Sequence, residues 1–151
     1  MSRRQAEKLG VAGRVVWHGH ARPDELVGAY RAANALWFPS TARSEGFGLV
    51  QIEAMASGCP VINTAIPASG VPWVSRHGET GLTVLVNDPL ALAEAANRLL
   101  AQPGLGKQLG TAGRARACQE FQATVMAKRS LEIYARVLAC EPSRSAVALQ
   151  R

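Results

Sequence analysis

Ala35-Leu36-Trp37-Phe38-Pro39, followed after a polar loop by Ser44-Glu45-Gly46-Phe47-Gly48-Leu49-Val50-Gln51-Ile52-Glu53, is the stretch on which the reading of this 151-residue chain turns. The apolar run closed by proline suits a β-strand buried on both faces. The two glycines beyond the loop permit positive φ and close approach of a ligand to the backbone. A helix from about Gly48 to Ser57 comes next, and Gly58 stands where a left-handed C-cap is wanted. In a parallel α/β sheet such a turn lies at the carboxyl ends of the strands, where these folds bind ligands.

The turn has a chemistry of its own. A helix starting there leaves its first N–H groups, near Gly48, Leu49 and Val50, without internal partners. Together with the helix dipole they suit a diphosphate. Glu53 lies about one turn in and shares a 3.6-residue face with Leu49, Ile52 and Ala56, a face expected to pack inward. A carboxylate there is costly unless donors satisfy it, and paired ribose hydroxyls would do so. The alternative is a buried glutamate capping the N–H groups of a neighbouring loop. Glu45, in the loop, could meet hydroxyls of a transferred sugar or stabilise positive charge at its anomeric carbon. Its plainer role is an acid complementing the helix dipole. The residues thus point to a nucleotide-sugar or nucleotide-diphosphate site.

Outward from this stretch, strand and helix signals alternate as in a parallel α/β fold, a Rossmann-like sheet with flanking helices. Arg3 to Leu9 is expected as a helix, Val15 to His18 as a short strand broken at Gly19, and Pro23 to Ala33 as a helix with Leu26, Ala29, Tyr30 and Ala33 on one stripe. Pro60 to Asn63 and Gly81 to Val86 follow as strands. Asn87-Asp88-Pro89 is a helix start, with a capping side chain before proline, and that helix runs to about Ala101. Leu105 to Phe121 is expected to break at Gly106, Gly110 and Gly113. Ala123 to Cys140 is a helix placing Val125, Ala127, Leu131, Tyr134, Val137 and Leu138 toward a core, and 142–151 is a flexible tail. About four strands are fewer than the five or six of a doubly wound sheet, so residues 1–141 are expected to be an incomplete domain. The first strand is then expected to expose an apolar edge.

Composition excludes several classes. With 48% hydrophobic and 19% charged residues the chain is globular. No apolar run approaches the roughly 20 residues of a membrane span, and the N-terminus lacks the apolar core of a signal peptide. Cys59, Cys118 and Cys140 have neither metal nor redox spacing, which suits a cytoplasmic protein. The net charge of +6 is spread along the chain without interleaved aromatics, so nucleic acid is not expected as a partner. His18 and His20 share a strand face, yet no third ligand is evident, and no metal is assigned. Ser40 and Ser44 lack a base for nucleophilic work. Arg43 reads as a solvated loop charge. Trp17, Trp37 and Phe38 read as core, Trp73 as packing or a stacking surface, and His77 as a turn residue.

The run from Ser44 to Ile62, with Gly70-Val71-Pro72, Gly78-Glu79-Thr80-Gly81-Leu82 and Asn87-Asp88-Pro89, resembles the signature of group 1 (family 4-type) retaining glycosyltransferases of the GT-B fold. The resemblance reaches back through Val15 to Gly19 and the helix ending Ala32-Ala33-Asn34, and covers about 135 of the 151 residues. It implies the donor-binding C-terminal domain of such an enzyme, entered after its first two strands. It also implies transfer of a sugar with retained configuration and without bound metal or other cofactor. Glu45 would be the glutamate near the donor sugar. Backbone groups at Gly46, Phe47 and Gly48 would meet sugar hydroxyls, and those at Leu49 and Val50 the diphosphate. Glu53 would hold the ribose, and Gly19, His20 and Ala21 the nucleobase.

The arginine and lysine that neutralise the leaving diphosphate in the family, and its N-terminal acceptor domain, have no counterpart in these residues. That missing polypeptide is therefore an expected partner, and this chain alone is expected to transfer little. Trp73 stands where many members carry glutamate. Gly70-Val71-Pro72-Trp73-Val74-Ser75-Arg76-His77-Gly78 is closer to members in bacterial surface-polysaccharide synthesis, whose lipid-linked acceptors would draw a cytoplasmic enzyme to the inner membrane's surface. The competing readings are a non-catalytic nucleotide-sugar-binding fragment of a split or decayed gene, and a nucleotide-sugar epimerase-like domain.

Overall fold

The computed structural model describes residues 2–139. Three parallel strands, β1 (Leu36–Phe38), β2 (Val61–Thr64) and β3 (Gly81–Val84), stand in the order β1-β2-β3. Leu36 lies opposite Val61, and Val61 opposite Gly81. Parallel neighbours require crossovers. Two helices supply them: α3 (Leu49–Ala56) between β1 and β2, and the single turn α4 (Val71–Val74) between β2 and β3. Upstream stand α1 (Arg3–Lys8), a 3₁₀ turn at Ala12–Arg14, and α2 (Pro23–Ala32). Downstream follow α5 (Pro89–Ala101), α6 (Pro103–Glu120) and α7 (Ala123–Ala139).

The central strand β2 is buried along its whole length, as a strand covered on both faces must be. One core cluster gathers Ala54, Met55, Val61, Val74 and Ala117. A second gathers Ile62, Leu82, Leu99 and Leu109 under α5 and α6. Asp88 caps α5 as its sequence predicts, accepting the Ala91 N–H at 2.9 Å ahead of Pro89. Gly58 adopts φ +81° behind α3.

Several expectations are corrected. Val15 to His18 forms no strand, and Val16 is 89% exposed. A strand exists through its ladder, and no described strand lies alongside this one, so three strands replace about four. β1 is an edge strand instead of a doubly buried one: Trp37 is half exposed, and Trp17 lies at the surface under the Arg3 guanidinium.

The breaks expected at Gly106, Gly110 and Gly113 are absent, and α6 runs unbroken through all three. Two of them serve close packing against the end of α3. A Cβ on Gly110 would lie 2.1 Å from the Gly58 carbonyl oxygen, and one on Gly113 would touch Met55.

The apolar residues of α7 do not reach a core. Leu131, Tyr134, Val137 and Leu138 are all exposed, and Ala127 with them; Val125 is half-buried. The helix packs on α6, and no layer lies beyond it among the described residues. Cys140 and the expected tail at 142–151 lie outside the described residues.

Candidate functional site

The loops leaving the carboxyl ends of β1 and β2 meet at one edge of the sheet. The Glu45 carbonyl accepts the Ser69 hydroxyl at 2.6 Å, and the Gly46 carbonyl accepts the Gly70 N–H at 2.8 Å. The next carbonyl, that of Phe47, accepts the Gln51 side-chain amide at 3.0 Å. Gly48 follows at φ +73° as the N-cap of α3, with no side chain to cap the helix. A Cβ there would lie 2.8 Å from the Phe38 ring, so the position demands glycine twice, by angle and by space. The N–H groups of Gly46, Phe47, Gly48, Leu49 and Val50 have no hydrogen-bond acceptor among the described residues. An array of free donors at the start of a helix attracts an anion.

Beside this turn, α2 and α3 enclose a groove of 660 Å³ lined by His20, Ala21, Leu26, Tyr30 and Glu53, among others. The Tyr30 hydroxyl donates to Glu53 Oε2 at 3.2 Å. Burial, then the neighbouring Glu53 carboxylate, pushes the Tyr30 phenol up to about 12. The phenol is a donor at neutral pH, and the shift extends that into the alkaline range; Glu53 keeps its remaining lone pairs for other hydroxyls.

Glu53 is not on the inward face. That face carries Gln51, Ala54 and Met55, all fully buried, while Leu49, Glu53 and Ala56 face out. The apolar pattern misleads because Gln51 takes an inward place that a polar residue seldom holds. Its amide is satisfied there by the Phe47 and Val71 carbonyls and by Asn63. Glu53 thus carries no burial penalty awaiting a ligand; it is an accessible acceptor held by one phenol.

Of the residues predicted from sequence, His20, Ala21 and Glu53 come together in the groove. Gly19 sits just outside its lining with φ +72°. Glu45 and the Gly46–Val50 backbone belong to the turn and do not line the groove. Glu45 is a half-buried residue, and its carboxylate makes no hydrogen bond or ion pair among the described residues.

Sequence reasoning missed Tyr30, which reads as one more residue of an apolar stripe, and the buried amides of Gln51 and Asn63. It also missed Arg116. That guanidinium is buried, donates to the Trp73 and Val74 carbonyls, and pairs with Glu120. It lies 5.2 Å over the Trp73 ring, and Trp73 and Phe121 both pack on Phe47 of the turn. Trp73 is thus a packing residue that keeps an exposed face. His77 is a turn residue whose Nδ1 accepts the Thr83 N–H at 2.9 Å.

Residues 1–116 match the family described as "Glycosyl transferases group 1". A D-inositol 3-phosphate glycosyltransferase of Streptomyces bingchenggensis is 38% identical over 133 residues, which are 88% of this chain and 28% of that protein. The corresponding protein of Corynebacterium glutamicum is 46% identical over 98 residues, 65% of this chain and 22% of its own length. The chain therefore spans about a quarter of these relatives.

Among solved structures, sucrose-phosphate synthase from Thermosynechococcus elongatus superposes with a TM-score of 0.80 at 34% identity, over 91% of this chain and 34% of that one. HepE of Anabaena, crystallised with UDP, gives 0.80 at 24% identity, over 88% of this chain and 35% of that one, and shows the shared fold. The three-stranded parallel sheet with flanking helices is that of the C-terminal domain of the GT-B fold. This chain belongs to the group 1 glycosyltransferases.

Proposed function

We propose that this chain is the donor-binding part of a retaining glycosyltransferase that takes its sugar from a nucleoside diphosphate sugar. The observation that carries the reading is the Tyr30–Glu53 pair in a groove beside a turn of unpartnered N–H groups. Glu53 would accept the ribose hydroxyls while Tyr30 holds the carboxylate in place. His20 and Ala21, with Gly19 behind them and Leu26 across the groove, would receive the nucleobase. The N–H groups of Leu49 and Val50 would hold the diphosphate, and the backbone of Gly46, Phe47 and Gly48 the sugar. HepE of Anabaena, which shares the fold, was crystallised with UDP and with UDP-glucose, so these serve as probes of the site.

In this reading the turn neutralises charge on the departing diphosphate, and Glu45 faces the positive charge that develops at the anomeric carbon. Departure and attack on one face of the sugar retain its configuration, and no bound metal is needed. The acceptor site, and the cations that complete the diphosphate clamp, would come from polypeptide beyond this chain. The Gly70–Gly78 segment favours a role in bacterial surface polysaccharide or glycolipid synthesis, on the cytoplasmic side and at the membrane's edge. No helix among the described residues is long and apolar enough to cross a membrane.

Equilibrium dialysis of radiolabelled UDP-glucose against wild type and Glu53→Ala tests the assignment. A charge-assisted hydrogen bond contributes roughly 1.5–3 kcal/mol, so the substitution is expected to weaken binding about tenfold or more. Equal affinity in the two proteins removes the ribose contact.

A further inference from the structure

We propose that Ser69 and the buried pair Gln51–Asn63 are positioning residues that hold the donor turn in its binding shape, an inference that rests on the donor reading above. Three successive carbonyls of the turn, those of Glu45, Gly46 and Phe47, are each fastened by a hydrogen bond. Their partners are the Ser69 hydroxyl, the Gly70 N–H and the Gln51 side-chain amide. A trans peptide sets its N–H opposite its carbonyl. Fixing those three carbonyls therefore fixes the opposite direction for the N–H groups of Gly46, Phe47 and Gly48, and with them the start of α3, where the free N–H groups of Leu49 and Val50 follow. Successive N–H groups in a concavity bind anions.

The fastening is itself anchored. The Gln51 amide also donates to the Val71 carbonyl at 3.3 Å, and its oxygen accepts Asn63 Nδ2 at 2.9 Å. Asn63 Nδ2 in turn lies 3.1 Å from the Val71 carbonyl and 3.0 Å from that of Ser75. The pair thus joins β2, α3 and α4 behind the turn. Both side chains are wholly buried, and Asn63 Oδ1 has no partner among the described residues. Apolar residues in their place would take these donors from the Phe47, Val71 and Ser75 carbonyls, so the pair serves backbone that the loops leave unpaired. What the amides add is a specified direction for the Phe47–Gly48 peptide. The two loops also lie close here: a Cβ on Gly70 would lie 2.7 Å from the Gly46 carbonyl oxygen, so this approach needs glycine at residue 70.

Calorimetric titration with UDP and with UMP, on wild type, Ser69→Ala, Ser69→Thr and Gln51→Leu, tests the proposal. The β-phosphate reads the turn, whereas uridine and the α-phosphate also read the groove. The UDP-to-UMP affinity ratio is expected to fall roughly fivefold or more in Ser69→Ala and Gln51→Leu, and Ser69→Thr, which keeps the hydroxyl, is expected to stay within about twofold of wild type. Gln51→Leu alters the core; Ser69→Ala is half-buried and leaves the core intact, so it decides the matter if the other variant does not fold. A ratio unchanged in Ser69→Ala overturns the positioning role even where melting temperatures fall. A wild type that binds neither nucleotide overturns the donor reading itself.

Discussion

Tyr30 and Glu53 are 23 positions apart and meet across the groove at a single hydrogen bond. Tyr30→Phe removes that donor and leaves the ring in place. Donor affinity is expected to fall several-fold by calorimetry, with folding stability lower by about 1 kcal/mol. The phenol has a second consequence. Its pKa is raised from 10.0 to about 12 in the folded chain, so its contribution to stability is complete below pH 10 and is lost as pH rises toward 12. Chemical denaturation between pH 9 and 12 is expected to show a steeper loss in wild type than in Tyr30→Phe; identical slopes would contradict the assignment. The sequence singles out Glu45 and Glu53 because two acids bracket a glycine turn, but it expects Glu53 to face inward, whereas the structure turns it out. Tyr30 is not singled out, because nothing in a helix stripe marks a hydroxyl that pairs with an acid far along the chain.

At the scale of elements, the glycines of α6 separate into kinds that sequence alone cannot tell apart. Gly110 faces the Gly58 carbonyl with no room for a methyl group, whereas Gly106 has nothing within 4 Å of an added Cβ. Gly110→Ala is expected to destabilise the chain by about 1–3 kcal/mol or more, because backbone on one side or the other must move. Gly106→Ala is expected to stabilise it by about 0.5–1 kcal/mol through helix propensity. Paired thermal melts check both signs, and a Gly110→Ala melt equal to wild type would contradict the close packing of α6 on the end of α3.

The capped start of α5 and the glycine turn before α3 were readable from local chemistry. The continuity of α6 was not, since propensity marks its glycines as breaks and only the neighbouring backbone explains them. The strand expected at Val15 failed for a related reason: its residues have strand character, but pairing is decided by neighbours that local sequence does not name.

For the molecule as a whole, apolar surface lies where a core was expected. Leu131, Val137 and Leu138 of α7 and Trp37 of the edge strand β1 are more than half exposed. Such a surface favours association. Sedimentation equilibrium is expected to show concentration-dependent self-association that Leu131→Lys with Leu138→Lys reduces. Because those side chains bury little, the melting temperature is expected to change by no more than surface substitutions usually cause, about 0.5 kcal/mol in stability. A monodisperse monomer at every concentration would contradict this.

In the proposed complex one nucleoside diphosphate bridges the groove and the turn. Following the backbone amide resonances of the ¹⁵N-labelled chain during titration with UDP tests it most directly. Amides of Gly46, Phe47, Gly48, Leu49 and Val50 are expected to shift together with those of His20, Tyr30 and Glu53, along one binding curve. Shifts confined to other surfaces, or a groove that responds while the turn stays silent, would contradict it.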